Sequence, residues 1–367
     1  MDFFQRQDNA RRRTRWLVVY FFCAILGLAC TFYVISLPPY FHGNPEAEGS
    51  FWHPELFQVV VSVILIIVAL GSLSKAIKLR KGGKAIALAL GGRPLTAPPT
   101  DPDERELQNV IEEMSLASGV PMPAVYVLDR EPGINAFAAG FRPEDAVIGV
   151  TKGAMQFLTR DNLQGVIAHE FSHILNGDMR LNLRLVAWLQ GILWIAIAGK
   201  GLLAGARRCV PWKSESDDLK KAGLGLFFFG SAVGVIIYGL GSVGLFFGHL
   251  IKSAVARQRE FLADAAAVQF TRNPMALANA LKKIGGLAHG SRIRSPLAEE
   301  ASHMFFGNGL RGSWFGIFST HPSLKKRIKL VDPNFDGRFP QVTFPVGPSK
   351  LPPIIAPPAM SSPPVIS

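Results

Sequence analysis

The stretch Leu163-Gln164-Gly165-Val166-Ile167-Ala168-His169-Glu170-Phe171-Ser172-His173 contains the pattern His-Glu-x-x-His. It predicts a helix, because Thr159 precedes it as an N-cap and its apolar residues recur at helical spacing. On a helix His169 and His173 lie one turn apart on one face, so both imidazoles can bind the same metal ion. Glu170 then lies beside the open position of the metal, where it can take a proton from bound water and pass it to a leaving amine. The pattern indicates a zinc-dependent peptidase, although so short a motif also occurs by chance.

The composition predicts a membrane protein. Hydrophobic residues make up 49% of the 367 residues, and the formal net charge is +12. In a membrane protein such an excess of Lys and Arg marks cytoplasmic loops, and because the sequence has no RNA- or DNA-binding motif, no nucleic-acid partner is expected. Cys23, Cys30 and Cys209 form neither a disulfide framework nor a cysteine-based zinc site. This cysteine usage favours a soluble part that faces the cytosol.

Two apolar runs near the start predict a transmembrane hairpin. Residues 16–37 carry no charge and are long enough to cross the hydrocarbon core, and residues 56–74 form a second run. A cleavable signal peptide is the alternative for the first run, but the run is long for one and ends in Pro38-Pro39. Basic residues flank the hairpin at both ends and are absent from residues 38–55. The positive-inside rule therefore predicts that both ends lie in the cytoplasm and the 38–55 loop outside.

The segments around the motif predict a small sheet packed against the motif helix. In order they are a helix over 104–118 that ends at Gly119, a strand over 124–128, a strand or loop over 135–138, a strand over 146–150 and a helix over 152–158. Together with the apolar runs, this pattern predicts an α+β, mainly helical fold with two to four transmembrane helices.

A second pair of apolar runs follows the motif, over residues 185–204 and 224–251. Both are long enough to cross a membrane. The loop between them carries five basic residues and three acidic ones, which the positive-inside rule disfavours outside the cell. Seven glycines in the second run favour close helix packing in a bilayer. A hairpin that crosses the membrane and one that lies against membrane and core both remain open, and the glycines favour crossing.

A catalytic zinc site takes three protein ligands and leaves one position for water, so a third ligand is needed. Glu260 is the best candidate, because Asp264 lies one helical turn further and both carboxylates share a face. One carboxylate can bind the metal while the other accepts a hydrogen bond from a ligand histidine. The alternative for this pair is a solvated charged face. Other candidates are His249 as a packed or ligand residue, Asp178 as a helix cap or ligand, and the loop residues His289 and His303.

Four motifs occur in order: Asn135-Ala136-Phe137-Ala138, His169-Glu170-Phe171-Ser172-His173 with Asn176-Gly177-Asp178, Arg259-Glu260-Phe261-Leu262-Ala263-Asp264, and Ser319-Thr320-His321-Pro322. In this combination the chain resembles the HtpX-type membrane zinc metallopeptidases, which are bacterial relatives of the CAAX prenyl endopeptidase. The resemblance covers roughly residues 56–332. It implies a zincin-like peptidase core at the cytoplasmic face of the inner membrane.

The resemblance also implies roles for individual residues. It implies one Zn²⁺ per chain held by His169, His173 and Glu260, with Glu170 as general base and acid and Asp264 behind a ligand. It places His321 near the scissile carbonyl, which it polarises or whose oxyanion it stabilises; the alternative is a residue at the start of a helix. The region expected to hold an extended substrate by backbone pairing matches Asn135 and the strand Ile148-Gly149-Val150.

These observations divide the chain into six parts: a basic cytoplasmic N-terminus (1–15), a transmembrane hairpin (16–74), the first part of a metallopeptidase domain (75–184), an apolar hairpin (185–251), the second part of that domain (252–333) and a disordered Pro-rich tail (334–367).

The predicted function is an inner-membrane zinc endopeptidase that acts from the cytoplasm on membrane or misfolded polypeptides, in quality control or stress-related proteolysis. The lipid bilayer is its other partner, and the oligomeric state stays open. The alternatives are a maturation protease for one peptide substrate and a non-catalytic membrane adaptor with a structural zinc site, against which the intact Glu170 argues.

Overall fold

The structure is a computed structural model and describes residues 3–44, 46, 50–79, 82–96, 98–208, 217–287, 290–293, 304–307 and 319–342. The helices are α1 (Phe3–Gly43), α2 (Pro54–Leu79), α3 (Gly82–Ala89), α4 (Pro102–Ser118), α5 (Lys152–Phe157), α6 (Arg160–Leu175), α7 (Asp178–Ala206), α8 (Asp217–Thr271), α9 (Pro274–Gly286) and α10 (Leu324–Val331). The strands are β1 (Arg93–Pro94), β2 (Ala124–Leu128), β3 (Ala136–Ala139) and β4 (Val147–Thr151). Some features of the sequence analysis lie outside the described residues: Cys209, the candidate ligands His289 and His303, and the tail beyond residue 342.

The helices α1, α2, α7 and α8 are long and apolar enough, by length and composition, to cross a membrane. Large apolar side chains such as Leu65 and Phe228 are more than half exposed on their outer faces. Such exposure is rare on a soluble protein and suits contact with lipid. Glycines bring α7 and α8 together: a Cβ on Gly241 would lie 2.6 Å from the Ala196 nitrogen. The described residues therefore contain four such helices, the upper limit of the two to four that the sequence predicted.

The helix α8 is the longest element, with 55 residues. It joins the predicted apolar run that ends at Ile251 to the predicted helix that carries Glu260, with no break between them. A helix rises about 1.5 Å per residue, so Glu260 lies about 12 Å along the axis from Lys252. One continuous helix thus reaches from the apolar bundle to Glu260 and the core around the motif helix.

The sheet has the order β1-β2-β4-β3. β4 lies between β2, which runs parallel to it, and β3, which runs antiparallel. The segment over residues 135–138, predicted as strand or loop, is largely the edge strand β3. One face of the sheet packs against α4, α6 and α9 in a core that includes Val127, Ile148, Val166, Phe171 and Leu277. The sheet and the motif helix therefore form the α+β core that the sequence predicted.

Local signals set the ends of the helices around this core. The Thr159 hydroxyl accepts a hydrogen bond from the Asn162 amide and caps α6. Gly119 ends α4 with φ of 70°, a conformation that glycine adopts without strain. Both were predicted from the sequence, and the structure confirms them.

The predicted start of the disordered tail at Asn334 is wrong for the residues that the structure describes. Phe335 is buried, and Phe339 packs against the main core where Gly285 of α9 leaves room for its ring. The proline content suggested disorder, but these two aromatic rings bury apolar surface that offsets the cost of ordering the segment. The rest of the six-part division stays a prediction.

Candidate metal centre

Helix α6 carries both motif histidines and Glu170 into the interior. His169 and Glu170 are fully buried, and the His173 side chain is 15% exposed. The helix can lie this deep because Gly165 allows α9 to approach; a Cβ there would lie 2.8 Å from the Leu277 nitrogen. The motif is therefore held rigidly between the sheet, α8 and α9.

A carboxylate orients each motif histidine through its Nδ1 atom. His169 Nδ1 lies 3.0 Å from Asp264 Oδ1, and His173 Nδ1 lies 2.8 Å from Asp178 Oδ2. An imidazole whose Nδ1–H donates to a carboxylate keeps its lone pair on Nε2. The two Nε2 atoms face each other at 3.1 Å. Both rings thus present their metal-binding atoms to one point.

Glu260 brings a carboxylate to the same point from α8. Its Oε1 lies 3.4 Å from His173 Nε2, and its Oε2 lies 3.8 Å from His169 Nε2. A tetrahedral zinc ion with bonds of about 2.0–2.1 Å separates its ligand atoms by about 3.3 Å. The observed separations are close to that value, and two imidazoles with a carboxylate are a donor set that zinc accepts. These residues fit a zinc ion.

Burial and charge set the protonation of the two histidines in opposite directions. Burial lowers the pKa of His169 to about 4, so its ring is neutral at neutral pH. Burial also lowers the pKa of His173, but its contacts with the Asp178 and Glu260 carboxylates outweigh this and raise the pKa to about 10. Binding of a cation between Glu260 and the two Nε2 atoms requires that the His173 proton leaves, because a ligand histidine must be neutral.

Glu170 is fully buried. Among the described residues, neither oxygen of its carboxylate has a hydrogen bond, and burial raises its pKa to about 8. The Ala138 amide is close enough to lower that pKa a little, but it makes no hydrogen bond of normal geometry with the carboxylate. A buried, unpaired carboxylate is costly and is found mainly at functional sites. Its position beside the three donor atoms suits a group that exchanges protons.

His321 also reaches this centre. Its ring is buried, and Nδ1 lies 3.1 Å from Glu260 Oε2. The alternative reading of His321 as the start of a helix is wrong, because the Ser323 side chain caps α10 and the helix begins at Leu324. Asp264, predicted behind a ligand, lies against His169 as described above.

The sequence analysis missed Arg327. This side chain is 1% exposed and donates two hydrogen bonds to Asp264, at 2.9 and 2.6 Å, and one to the Phe306 carbonyl at 2.9 Å. It also lies 2.9 Å from Glu260 Oε2. Burial lowers its pKa, but the two carboxylates raise it above the ordinary value for arginine. The signal was available: Arg327 lies four residues before Val331 on the buried face of an otherwise basic helix.

Asp178, which the sequence offered as a helix cap or a metal ligand, instead orients a ligand histidine. Asp178 is the first residue of α7, but its carboxylate contacts His173 and pairs with the buried Arg259. Arg259 in turn donates to the Asn176 carbonyl at 3.0 Å, so it joins α8 to the end of α6. His249, the other candidate ligand, lies three turns before Glu260 on α8 and is not part of the cluster.

The predicted substrate residues are not placed to pair with a substrate. Ile148, Gly149 and Val150 belong to β4, whose two edges are already paired with β2 and β3. Asn135 is fully buried, and its side chain donates to the Ser291 carbonyl at 2.7 Å and accepts from the Ala136 amide. The prediction of substrate pairing by these residues is therefore wrong. The sequence shows that a strand is present but not whether it lies inside the sheet or at its edge.

Comparisons with known proteins agree with this geometry. Residues 101–333 match peptidase family M48. The chain is 33% identical to a protease HtpX homolog of Ligilactobacillus salivarius over 76% of this chain and 85% of that protein. It is 30% identical to a protease HtpX homolog of Dictyoglomus thermophilum over 89% of this chain and 93% of that protein.

A crystal structure of S. mikatae Ste24p matches 88% of this chain and 66% of its own length, with a TM-score of 0.41 and 16% identity. The family match covers more than half of the chain and includes every residue of the metal centre. The chain therefore belongs to peptidase family M48, as a membrane metalloprotease of the HtpX type.

Proposed function

We propose that the chain is an integral-membrane zinc endopeptidase of the bacterial inner membrane, with its active site on the cytoplasmic side. The observation that carries this proposal is the convergence of His169, His173 and Glu260 beside the unpartnered carboxylate of Glu170. A structural zinc site needs no such group. The non-catalytic adaptor is therefore the weaker candidate.

Each residue has a separate task in peptide hydrolysis. Zinc, when bound by His169, His173 and Glu260, supplies an acidified water and polarises the scissile carbonyl. Glu170 takes the proton from the attacking water and returns it to the leaving amine. In the metal-free protein burial raises its pKa to about 8, so this carboxyl takes up a proton more readily than an exposed one. The Nδ1 atom of His321 contacts Glu260, so its other nitrogen is the one that can donate to the developing oxyanion.

The outer edge of β3 is the best candidate for binding the substrate backbone. In an antiparallel strand, alternate residues point their amide and carbonyl groups away from the neighbouring strand. The Ala136 amide donates to the Asn135 side chain, and the Ala136 carbonyl accepts from the Phe306 amide. Both groups point away from β4. The corresponding groups of Ala138, two residues further, point the same way and lie beside Glu170. An extended peptide paired with Ala138 would present its carbonyl to the metal centre.

The orientation rests on the charges at the ends of the helices. Basic residues precede the first apolar run and follow the second, which favours the cytoplasm for both ends. At the opposite end of α1 and α2, Tyr33 packs against Trp52 and Phe57 and donates to the Phe51 carbonyl. Aromatic clusters of this kind favour a membrane–water interface. The aromatic cluster marks this end as an interface, and the distribution of basic residues supports a catalytic part, formed by residues 75–184 and 252–333, that faces the cytoplasm.

We infer that the substrates are membrane or misfolded polypeptides, as in quality control. The metal ligand Glu260 lies on the same helix as an apolar run, so the site is within reach of segments that emerge from the bilayer. A dedicated maturation protease would have the same centre. Cleavage profiling against several unrelated unfolded proteins separates the two, because a maturation protease would cut one sequence and leave the others intact.

The variant Glu170→Gln tests the enzyme proposal. The full-length chain, purified in detergent with zinc, is incubated with an unfolded soluble protein, and new amino termini are counted. Loss of the base is expected to lower the rate by about 10²- to 10⁴-fold while bound zinc, measured by elemental analysis, stays at one per chain. Equal cleavage by both proteins would refute the assignment.

The four-span topology has its own test. A variant with Cys23→Ser and Cys30→Ser leaves Cys209 as the single thiol. A membrane-impermeant thiol reagent is expected to label it in spheroplasts if α7 and α8 cross the membrane. Labelling only after lysis would contradict the crossing.

A further inference from the structure

The two histidines of the motif share one arrangement of supporting groups. Beside the Nδ1 atom of each ring lies a carboxylate, and beside each carboxylate lies a buried arginine. For the first histidine these groups are Asp264 and Arg327. For His173 they are Asp178 and Arg259. The repeated arrangement indicates that Arg259 has a task in the metal centre, and the proposed function assigns it none.

The Arg259 guanidinium holds two groups next to His173. It donates from Nε to the Asp178 carboxylate and from Nη2 to the Asn176 carbonyl, at 3.0 Å for the latter. Asn176 is the C-cap of α6, and the last carbonyls of a helix lack a partner within the helix and attract a cation. Asp178 is buried, and Arg259 is the only lysine or arginine among the described residues that forms an ion pair with it. The guanidinium is therefore fixed between a carboxylate and the end of the motif helix.

Arg259 directly precedes the metal ligand Glu260, so one turn of α8 acts on both nitrogens of the His173 ring. Glu260 Oε1 lies 3.4 Å from Nε2, on the side of the metal. Asp178 Oδ2, whose carboxylate Arg259 holds, lies 2.8 Å from Nδ1 on the opposite side. Asp178 itself is the first residue of α7, and Arg259 ties its carboxylate to α8. The third ligand and the support of the second ligand are thus set by the same helical turn.

We propose that Arg259 is a positioning residue of the metal centre, which holds the Asp178 carboxylate in the place where it orients His173. The inference rests on the proposed function, because it takes His173 as a zinc ligand. A guanidinium presents several donors in one rigid plane and can serve Asp178 and the Asn176 carbonyl at once. A lysine is a point charge on a flexible stem and leaves the carboxylate free to turn. If Arg259 only joined two helices, the position of the His173 ring would not depend on it.

The variant Arg259→Lys tests this, because it keeps the positive charge near the metal and removes only the planar fork. Zinc affinity of the full-length chain in detergent is measured by competition with a fluorescent chelator. A group that supports a ligand histidine contributes about 10- to 100-fold to metal affinity, and we expect Arg259→Lys to lose about 10-fold. The matched control is Arg180→Lys, the same change at an exposed position two residues after Asp178, and it should bind zinc as wild type does.

A double-mutant cycle separates positioning from a structural role. If Arg259 acts through Asp178, adding Arg259→Lys to Asp178→Asn should weaken zinc binding by less than about two-fold more. An independent contribution would repeat the full 10-fold loss in that background. A further variant, Asp178→Asn with Arg259→Gln, leaves no uncompensated buried charge to oppose folding. It should bind zinc at least as tightly as Asp178→Asn alone, because Arg259 then has no carboxylate to hold.

Three results would overturn the inference. They are zinc binding by Arg259→Lys that equals that of Arg180→Lys, a repeated 10-fold loss in the Asp178→Asn background, and weaker binding by the variant without both charges than by Asp178→Asn. Each of them leaves the proposed function intact, because wild type still binds zinc. A wild-type protein that binds no zinc would refute the proposed function and this inference together. None of these measurements requires peptidase activity.

Discussion

Removal of the Arg327 guanidinium should weaken both the fold and the metal centre, although Arg327 donates to none of the proposed zinc-binding nitrogens. In Arg327→Ala the Asp264 carboxylate loses two hydrogen bonds and Glu260 Oε2 loses its closest cation. Both carboxylates are nearly inaccessible to water, so solvent cannot replace the lost donors. Asp264 is also the group that orients His169. We therefore expect a loss of stability and a separate loss of zinc affinity.

The structure gives the size of both effects. Breaking a buried ion pair by removing one partner costs about 3–5 kcal/mol. For a domain of this size, 1 kcal/mol changes the unfolding temperature by about 2–4 °C, so a fall of about 6–20 °C is expected. Residues that orient a ligand histidine contribute about 10- to 100-fold to metal affinity. Zinc binding should weaken by that factor, because the Asp264 carboxylate is no longer held against His169.

The assay uses thermal unfolding of the detergent-purified chain and competition with a fluorescent zinc chelator. Lys329→Ala removes a positive charge from an exposed position of the same helix, and both quantities should stay at their wild-type values. Arg327→Lys keeps the charge but cannot reach Asp264, Glu260 and the Phe306 carbonyl at once. It should recover part of the stability and less of the zinc affinity. The reasoning is refuted if Arg327→Ala binds zinc as tightly as Lys329→Ala.

Three further outcomes are expected. Asp178→Asn should weaken zinc binding by about 10- to 100-fold, because the carboxylate that fixes the His173 ring is lost, and chelator competition that shows no change would contradict the hydrogen-bond geometry. Glu260→Ala should lose bound zinc by elemental analysis, and full retention would remove Glu260 from the ligand set. Gly199→Ala should cost about 1–3 kcal/mol, since a Cβ there overlaps the Tyr238 backbone; Gly201→Ala on the same helix meets nothing and should unfold at the wild-type temperature.

The sequence predicted the elements whose signals are local. The cap at Thr159 and the His-Glu-x-x-His spacing predict α6, and the left-handed Gly119 marks the end of α4. Glu260 and Asp264 were found together because a carboxylate pair one turn apart shares a helix face. Each of these signals is contained within a few residues, so no knowledge of the tertiary contacts was needed.

The residues that were missed depend on contacts between distant segments. Asp178 meets Arg259 across 81 residues, and Arg327 meets Asp264 across 63. No spacing rule joins such pairs: the position of Arg327 on the face of Val331 indicates burial, but not which residue it meets. The order of the strands also depends on contacts between distant segments. The β-rich runs predict β2 and β4, but the inside position of β4 depends on where β3 pairs.

The metal centre is assembled from two helices, one of which continues into the apolar bundle. His169 and His173 lie on α6, whereas Glu260 lies on α8, which packs along α7 through close contacts such as Gly199 with Tyr238 and Gly241 with Ala196. A helix turns by about 100° per residue, so a slip of one residue between α7 and α8 would rotate the Glu260 side chain away from the histidines. The glycine contacts therefore hold the third ligand in place as well as the bundle. A fragment that lacks residues 185–251 would lose these contacts between α7 and α8.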